Sequence, residues 1–184
     1  MNFGNIVPLS IVDLVVKYKL KNVAGFERFL AHHDPDVLEE LGKRKVIQTF
    51  KRVAAQVPAY QALLKKHKVK IAGIQDAEDL KKLPIIDKKS YIRTSTRLKD
   101  LCMDGTLAHM DMIVQSSGIS GKPTTWIRSK QEEEEAKKMA LFQMELMFHL
   151  SKKRTLILDC FSLGSWVSGI DFFRLMSGAH AIAT

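Results

Sequence analysis

A short segment of serine, glycine, lysine and threonine between two apolar stretches is the part of the sequence best suited to chemistry. It spans residues 116–124 and contains three serines, two glycines, one lysine and a final threonine. Glycines let the backbone approach an anion closely, and successive N–H groups can form an anion-binding concavity. Lysine adds a positive charge for phosphate oxygens, and serine hydroxyls donate further hydrogen bonds. A segment of this composition has the groups needed to bind the outer phosphates of a nucleotide.

The spacing within this loop differs from that of the Walker A loop of nucleotide kinases. The Walker pattern has four residues between its first Gly and the Gly-Lys pair, and a helix follows the lysine directly. Here two residues separate Gly118 from Gly121, and Lys122 precedes Pro-Thr-Thr-Trp, which favours extended chain. A nucleotide kinase is therefore a poor interpretation, and a solvent-exposed turn between two strands is the alternative structural one.

The region before the loop, residues 1–105, is predicted to be mainly helical. Residues 11–30 have apolar residues at helical spacing. Asp34-Pro35 predicts the start of a long helix that reaches about residue 55, because Asp is a good N-cap and Pro fits the first helical position. The predicted buried stripe of this helix consists of Val46, Ile47, Phe50 and Val53.

The region that contains the loop, residues 106–184, alternates between predicted strands and helices. Strands are predicted over residues 110–115, 124–128, 155–160 and 179–183, and helices over residues 129–150 and 166–176. Ser129 and Glu132 form a capping-box pattern at the first of these helices, whose predicted core residues are Leu141, Met144 and Phe148. The fold class is therefore α/β, with a helical N-terminal segment followed by part of a parallel α/β sheet. Because the sequence stops near the end of a strand, we expect the chain to be a fragment of a larger protein.

Composition excludes several classes of protein. No apolar run is long enough to span a bilayer, and the N-terminal residues lack the features of a signal peptide. Cys102 and Cys160 form no CxxC pattern, so we expect neither a disulfide framework nor a metal site, and the reducing cytoplasm is the expected compartment. Cys160 is expected to be buried.

The formal net charge of +9 is concentrated in one region. Residues 41–100 contain 16 Lys and Arg against 5 Asp and Glu. We interpret this region as a solvated basic surface, and an anionic partner such as a nucleotide, CoA or nucleic acid is the alternative. Aromatic residues do not alternate with the basic ones, which argues against a nucleic-acid-binding site.

The loop and its surroundings resemble the adenylate-forming, or AMP-binding, enzymes. Ser-Ser-Gly-Ile-Ser-Gly-Lys-Pro-Thr is similar to their Ser-Ser-Gly-Thr-Thr-Gly-Lys-Pro-Thr motif, and the phenylacetate–CoA ligase branch is the most similar. Val57-Pro58-Ala59-Tyr60, residues 79–88 and residues 161–169 resemble segments of that branch in the same order. The resemblance covers roughly residues 45–184 and implies that the chain is an incomplete part of the large N-terminal domain of such an enzyme.

The resemblance implies an ATP-dependent carboxylate–CoA ligase. A carboxylic acid would attack ATP, which carries Mg²⁺, to form an acyl-adenylate, and the thiol of CoA would then accept the acyl group. The residues that would hold the β- and γ-phosphates are Ser116, Ser117, Gly118, Ser120, Gly121, Lys122 and Thr124. Trp166 and Gly164 would line the pocket of an aromatic or acyl substrate. Residues 1–184 contain no counterpart of the family's catalytic lysine or of its adenine-binding motif, so we expect them to be inactive on their own.

Departures from the family pattern leave other functions open. Ile119 replaces a hydroxyl residue of the loop, and Leu163 and Ser168 replace residues of the Gly-rich segment, so phenylacetate need not be the substrate. One alternative is an acyl-protein synthetase of the same superfamily, which passes the acyl group to a protein cysteine. Another is a non-catalytic nucleotide-binding module that has kept the loop.

Overall fold

A computed structural model describes residues 7–19, 22–95, 97–118, 121–162, 167–177 and 181–183. The chain divides into two compact units, Met1–Thr106 and Leu107–Thr184. The first unit is helical and the second combines helices with strands, so the fold is mixed α/β.

Four α-helices account for most of the first unit. They are α1 (Leu9–Lys19), α2 (Val23–His32), α3 (Pro35–Gln56) and α4 (Pro58–Lys66). The first two were predicted as one continuous helical stretch. The helical pattern is interrupted at Asn22, whose backbone is extended and whose side-chain oxygen accepts a hydrogen bond from the Gly25 N–H at 2.6 Å. Asparagine at this position caps a new helix rather than continuing the old one.

The third helix begins where the sequence predicted. The Asp34 side chain accepts a hydrogen bond from the Asp36 N–H at 2.9 Å, and Pro35 occupies the first turn. The predicted stripe is correct for Ile47 and Phe50, but Val46 is 48% exposed. The prediction that Val46 is buried was wrong, because the face of the helix that packs is shifted toward Ala54, which is 1% exposed. The core cluster of this unit consists of Ile47, Phe50, Ala54, Leu64 and Ile74.

Replacing Ile74 with valine should lower the free energy of unfolding by about 1 kcal/mol. Ile74 is 2% exposed, so the lost methyl group leaves a small cavity that the surrounding side chains fill incompletely. Ile85 is 97% exposed, and Ile85→Val is the matched control, with an expected change of less than about 0.5 kcal/mol. Urea unfolding of both variants measures the difference, and equal values would show that Ile74 is not packed as described.

Short 3-10 helices follow in the first unit. They span Ile71–Gly73, Glu78–Lys82, Ile92–Thr94, Leu98–Leu101 and Met103–Gly105. Asp79, in the second of them, holds the segment that precedes it, because its Oδ2 accepts hydrogen bonds from the N–H groups of Gln75 at 2.8 Å and Asp76 at 3.3 Å. Pairing with Lys82, together with these N–H groups, lowers the pKa of Asp79 to about 2.

The described residues of the second unit contain four strands in two small sheets. They are β1 (Met110–Gln115), β2 (Thr125–Ser129), β3 (Thr155–Ile157) and β4 (Ala181–Ala183). The first two strands pair antiparallel, with Val114 opposite Trp126, and the last two pair parallel. Among the described residues these pairs form separate two-stranded sheets, so the single parallel sheet predicted from the sequence is not what the strands form. The physical reason is that parallel neighbours need a crossover of a dozen or more residues, and the loop between β1 and β2 is shorter.

Two α-helices and one 3-10 turn complete the second unit. They are α5 (Lys130–Phe148), the turn Leu150–Lys152 and α6 (Val167–Met176). The predicted capping box is confirmed: the Ser129 hydroxyl oxygen accepts from the Glu132 N–H, and the Glu132 carboxylate accepts from the Ser129 N–H at 2.7 Å. Phe148 was expected in the core but is 48% exposed, whereas Phe142 is 8% exposed.

The side chains on α5 that were expected to be buried are not the ones with the lowest exposure. Leu141 and Met144 are half-buried. Other buried apolar residues of this unit are Met112, Val114, Leu150 and Met176. Within the described part of the chain, no helix combines the length and the apolar character that crossing a membrane requires.

Candidate functional site

The loop between β1 and β2 is closed at its base by the first and last residues of the predicted phosphate-binding segment. The Ser116 N–H donates to the Thr124 carbonyl oxygen at 2.9 Å. The Thr124 N–H donates to the Ser116 hydroxyl oxygen, also at 2.9 Å. The Thr124 residue is only 5% exposed, so its side chain is buried. Two short hydrogen bonds therefore hold the ends of the loop together.

Glycines shape the upper part of the loop. The Gly121 N–H donates to the Gly118 carbonyl oxygen at 2.8 Å, and both residues have positive φ, +68° for Gly118 and +123° for Gly121. A Cβ atom on Gly118 would lie 2.9 Å from the Gly121 carbonyl oxygen and 2.9 Å from ring atoms of Pro123. No side chain fits at Gly118 without moving backbone, so the turn requires glycine there.

The structure separates the predicted phosphate ligands into two groups. Ser117, Gly121 and Lys122 are exposed, and Gly118 is half-buried beside them. Ser116 and Thr124 form the base of the loop. Ser120, Gly164 and Trp166 lie outside the described residues, as does Ile119. The exposed group offers backbone N–H groups, a hydroxyl and an ammonium group to a ligand, which is the chemistry that binds phosphate oxygens.

A cluster of charged side chains beside the hairpin was not identified from the sequence. Arg128 on β2 donates two parallel hydrogen bonds to Asp171 on α6, at 2.7 Å and 3.0 Å. Its Nη1 also lies 3.0 Å from the Glu133 carboxylate on α5. These three residues therefore connect the hairpin, α5 and α6, and no local sequence pattern places them together.

A second arginine extends the cluster. Arg174 donates to the Asp111 carboxylate on β1 at 3.0 Å, and its Nε lies 3.8 Å from Glu133. The Glu133 side chain is only 8% exposed, so its charge depends on the two arginines. Asp171, followed by Glu133, raises the pKa of the Arg128 guanidinium above its ordinary value. The cluster therefore connects β1 and β2, the strands that carry the loop, to α5 and α6.

Asp159 is a second polar residue that sequence analysis did not single out. It lies just beyond the carboxyl end of β3, and its Oδ1 accepts a hydrogen bond from the Phe161 N–H at 2.9 Å. Its Oδ2 is buried and has no hydrogen-bond partner among the described residues. The neighbouring Cys160 is exposed, which corrects the expectation that its thiol is buried, because β3 ends at Ile157 instead of continuing to Cys160.

Over the described ranges, no three His, Cys, Asp or Glu side chains come close enough to hold a metal ion.

Comparison with known proteins shows similarity at the level of the fold. No protein-family model matches this sequence, and no curated protein matches it. The structure is similar to an open conformation of 2-hydroxyisobutyryl-CoA ligase in complex with 2-HIB-AMP and CoA, with a TM-score of 0.65 and 10% identity. It is also similar to the same ligase in its postadenylation state with 2-HIB-AMP, with a TM-score of 0.59 and 12% identity.

The matches include most of this chain but only a part of each ligase chain. The matches cover 81% and 74% of this chain, but only 34% and 28% of the ligase chains. The chain therefore spans about a third of the length of these structures. Its fold is similar to part of 2-hydroxyisobutyryl-CoA ligase.

Proposed function

We propose that this chain is the N-terminal part of an AMP-forming, ATP-dependent acid–thiol ligase of the phenylacetate–CoA ligase type. The carrying observation is the closed, glycine-shaped loop at residues 116–124, on a chain whose fold is similar to part of a CoA ligase. Both structures of this ligase contain 2-HIB-AMP, and one of them also contains CoA. An adenylate intermediate and a CoA acceptor are therefore the chemistry we propose here.

The proposed reaction has two balanced steps. A carboxylate oxygen of the acid attacks the α-phosphorus of ATP, the bond to the β-phosphate oxygen breaks, and pyrophosphate leaves. The thiolate of the acceptor then attacks the acyl carbon, and AMP leaves with the electron pair of the broken bond. Mg²⁺ would enter with ATP, where it neutralises phosphate charge. CoA is the proposed acceptor, and a cysteine of an acceptor protein is the alternative.

The residues of the loop would act by positioning and by charge. The exposed residues Lys122 and Ser117 would bind the β- and γ-phosphates through the ammonium group and the hydroxyl, as would Ser120. The Gly118 N–H would add a further hydrogen bond, while the bond from the Gly121 N–H to Gly118 and the pairing of Ser116 with Thr124 keep the loop closed. Such preorganised donors stabilise charge on a leaving pyrophosphate without reorganising during the reaction.

The first test is equilibrium binding of MgATP to the chain. Lys122→Ala should weaken this binding about tenfold or more, because a hydrogen bond to a charged group contributes about 1.5–3 kcal/mol. Inorganic tripolyphosphate should compete with MgATP for binding. The substitution should weaken the binding of AMP much less, since AMP lacks the outer phosphates.

Lys130→Ala is the matched control, because Lys130 is also an exposed lysine of the second unit. Its MgATP affinity should equal that of the wild type. Binding that is equally weakened in both variants would indicate general electrostatic attraction, and binding unchanged by Lys122→Ala would remove the proposed role of the loop.

A further inference from the structure

The first helix, α1, has apolar residues on two sides. The helix packs against α2 and α3, and its half-buried apolar residues are Leu9, Val12 and Val16. A second set of apolar residues, which we call the outer stripe, is exposed to solvent. The members of the outer stripe, with their exposed fractions, are Ile11 (50%), Leu14 (69%), Val15 (42%) and Tyr18 (65%).

The outer stripe lies on one face of α1, because residues three, four and seven positions apart are neighbours on a helix surface. Contacts with α3 fix which face this is. Asp13 pairs with Lys45 on α3 at 2.5 Å, and Arg44 of α3 donates to the Val7 carbonyl oxygen at 2.8 Å, just before α1 begins. These contacts hold the other side of α1 against α3, so the outer stripe stays turned to solvent.

The size of the outer stripe favours a lipid surface over a protein partner. A helix that is apolar all round is normally buried, and a contiguous exposed apolar patch marks an interaction site. Four side chains are few for a protein–protein interface, which has about 20–30 residues a side. The 11 residues of α1 are too few to span a bilayer. A short helix with one exposed apolar face can lie in the boundary between headgroups and acyl chains.

The charge of the first unit indicates which lipids would bind. Lys17 is exposed beside the outer stripe, and lysines follow at positions 19 and 21. The acidic residue of α1, Asp13, is paired with Lys45. Residues 1–106 contain 20 Lys and Arg against 12 Asp and Glu, whereas residues 107–184 contain 9 against 8. Lysines close to a membrane are attracted by anionic headgroups, so charge complementarity favours anionic lipids.

We infer that α1 docks this chain on an anionic lipid surface, with the outer stripe entering the acyl boundary and Lys17 beside the headgroups. The inference does not rest on the proposed function, because the outer stripe belongs to the first compact unit and the loop at residues 116–124 to the second. Binding through one short helix is reversible, and its strength depends on apolar burial and on charge together. Removing either contribution should therefore weaken it.

Sedimentation of the full chain with lipid vesicles tests the inference. Vesicles of equal parts phosphatidylcholine and phosphatidylserine should bind the chain about tenfold or more tightly than vesicles of phosphatidylcholine alone. Leu14→Gln removes an apolar side chain without changing the charge, and it should weaken binding to the anionic vesicles about tenfold. Lys17→Gln should weaken the same binding about fivefold, and added salt should weaken it further.

Leu158→Gln is the matched control for Leu14→Gln. Leu158 is a leucine of the second unit with a similar exposure, 63%. Its replacement should leave the affinity for vesicles unchanged. Both side chains are exposed, so the thermal unfolding of both variants should stay close to that of the wild type.

Three vesicle results would overturn the inference: no binding to the anionic vesicles, equal weakening by Leu14→Gln and Leu158→Gln, or binding that Leu14→Gln leaves unchanged. The last result would mean that charge alone attracts the chain to the lipid. Sedimentation velocity without lipid tests the other occupant of the outer stripe, a second copy of this chain. Self-association that Leu14→Gln abolishes would assign the outer stripe to a dimer and also overturn the inference.

Discussion

Arg128→Met should lower the free energy of unfolding of the second unit by about 3 kcal/mol. The substitution keeps the length and apolar stem of the side chain but removes three charged contacts, two to Asp171 and one to Glu133. Both carboxylates are largely buried, with side chains 17% and 8% exposed, so their charges would lose their principal partner. The value is at the lower end for buried pairs because the Arg128 side chain is itself 24% exposed.

Denaturant unfolding followed by circular dichroism measures this change. Arg154→Met is the matched control, because Arg154 is an exposed arginine of the same unit, and its expected change is less than about 0.5 kcal/mol. A double variant, Arg128→Met with Asp171→Leu, should be less destabilised than the sum of its single changes, since each removes a partner of the other. Additive effects would show that Arg128 and Asp171 do not interact in solution.

Gly118→Ala should abolish the closed form of the loop and reduce MgATP affinity more than tenfold. An alanine at φ +68° costs about 1–2 kcal/mol, and its Cβ would also lie 2.9 Å from the Gly121 carbonyl oxygen. That contact is with backbone, so the chain must shift rather than a flexible side chain. The shift would break the hydrogen bond between the Gly121 N–H and the Gly118 carbonyl oxygen and so change the shape of the proposed phosphate-binding loop.

Gly42→Ala provides the contrast for this prediction. Gly42 lies within α3, and a Cβ atom there would meet no other atom within 4 Å. Alanine favours helix over glycine by about 1 kcal/mol, so this variant should be as stable as the wild type or more stable. The same nucleotide titration measures both variants, and a Gly118→Ala protein with unchanged affinity would show that the closed loop is not the binding form.

Structural features that depend on residues close together in the sequence could be predicted from the sequence. The start of α3 at Asp34-Pro35 and the capping box at Ser129 depend on hydrogen bonds over two or three residues, and the structure confirms both. The loop at residues 116–124 follows β1 as predicted, because its glycines and proline specify a turn by themselves. Its role in phosphate binding stays a prediction.

Structural features that depend on residues far apart in the sequence could not be predicted from the sequence. Arg128 and Asp171 are 43 residues apart, and neither residue type at either position predicts the other. Strand direction also depends on what each strand packs against, so the order of predicted elements implied a parallel sheet where β1 and β2 form an antiparallel hairpin. The unpaired oxygen of Asp159 is visible only once the turn after β3 is folded.

The position of Trp126 on the hairpin makes the loop observable by light. Trp126 follows the base of the loop by two residues, lies opposite Val114 and is 41% exposed. The sequence contains two tryptophans, so replacing Trp166 with phenylalanine would leave Trp126 as the sole indole fluorophore. Indole emission shifts with the polarity of its surroundings, which makes this residue a built-in optical reporter of movement at the base of the loop.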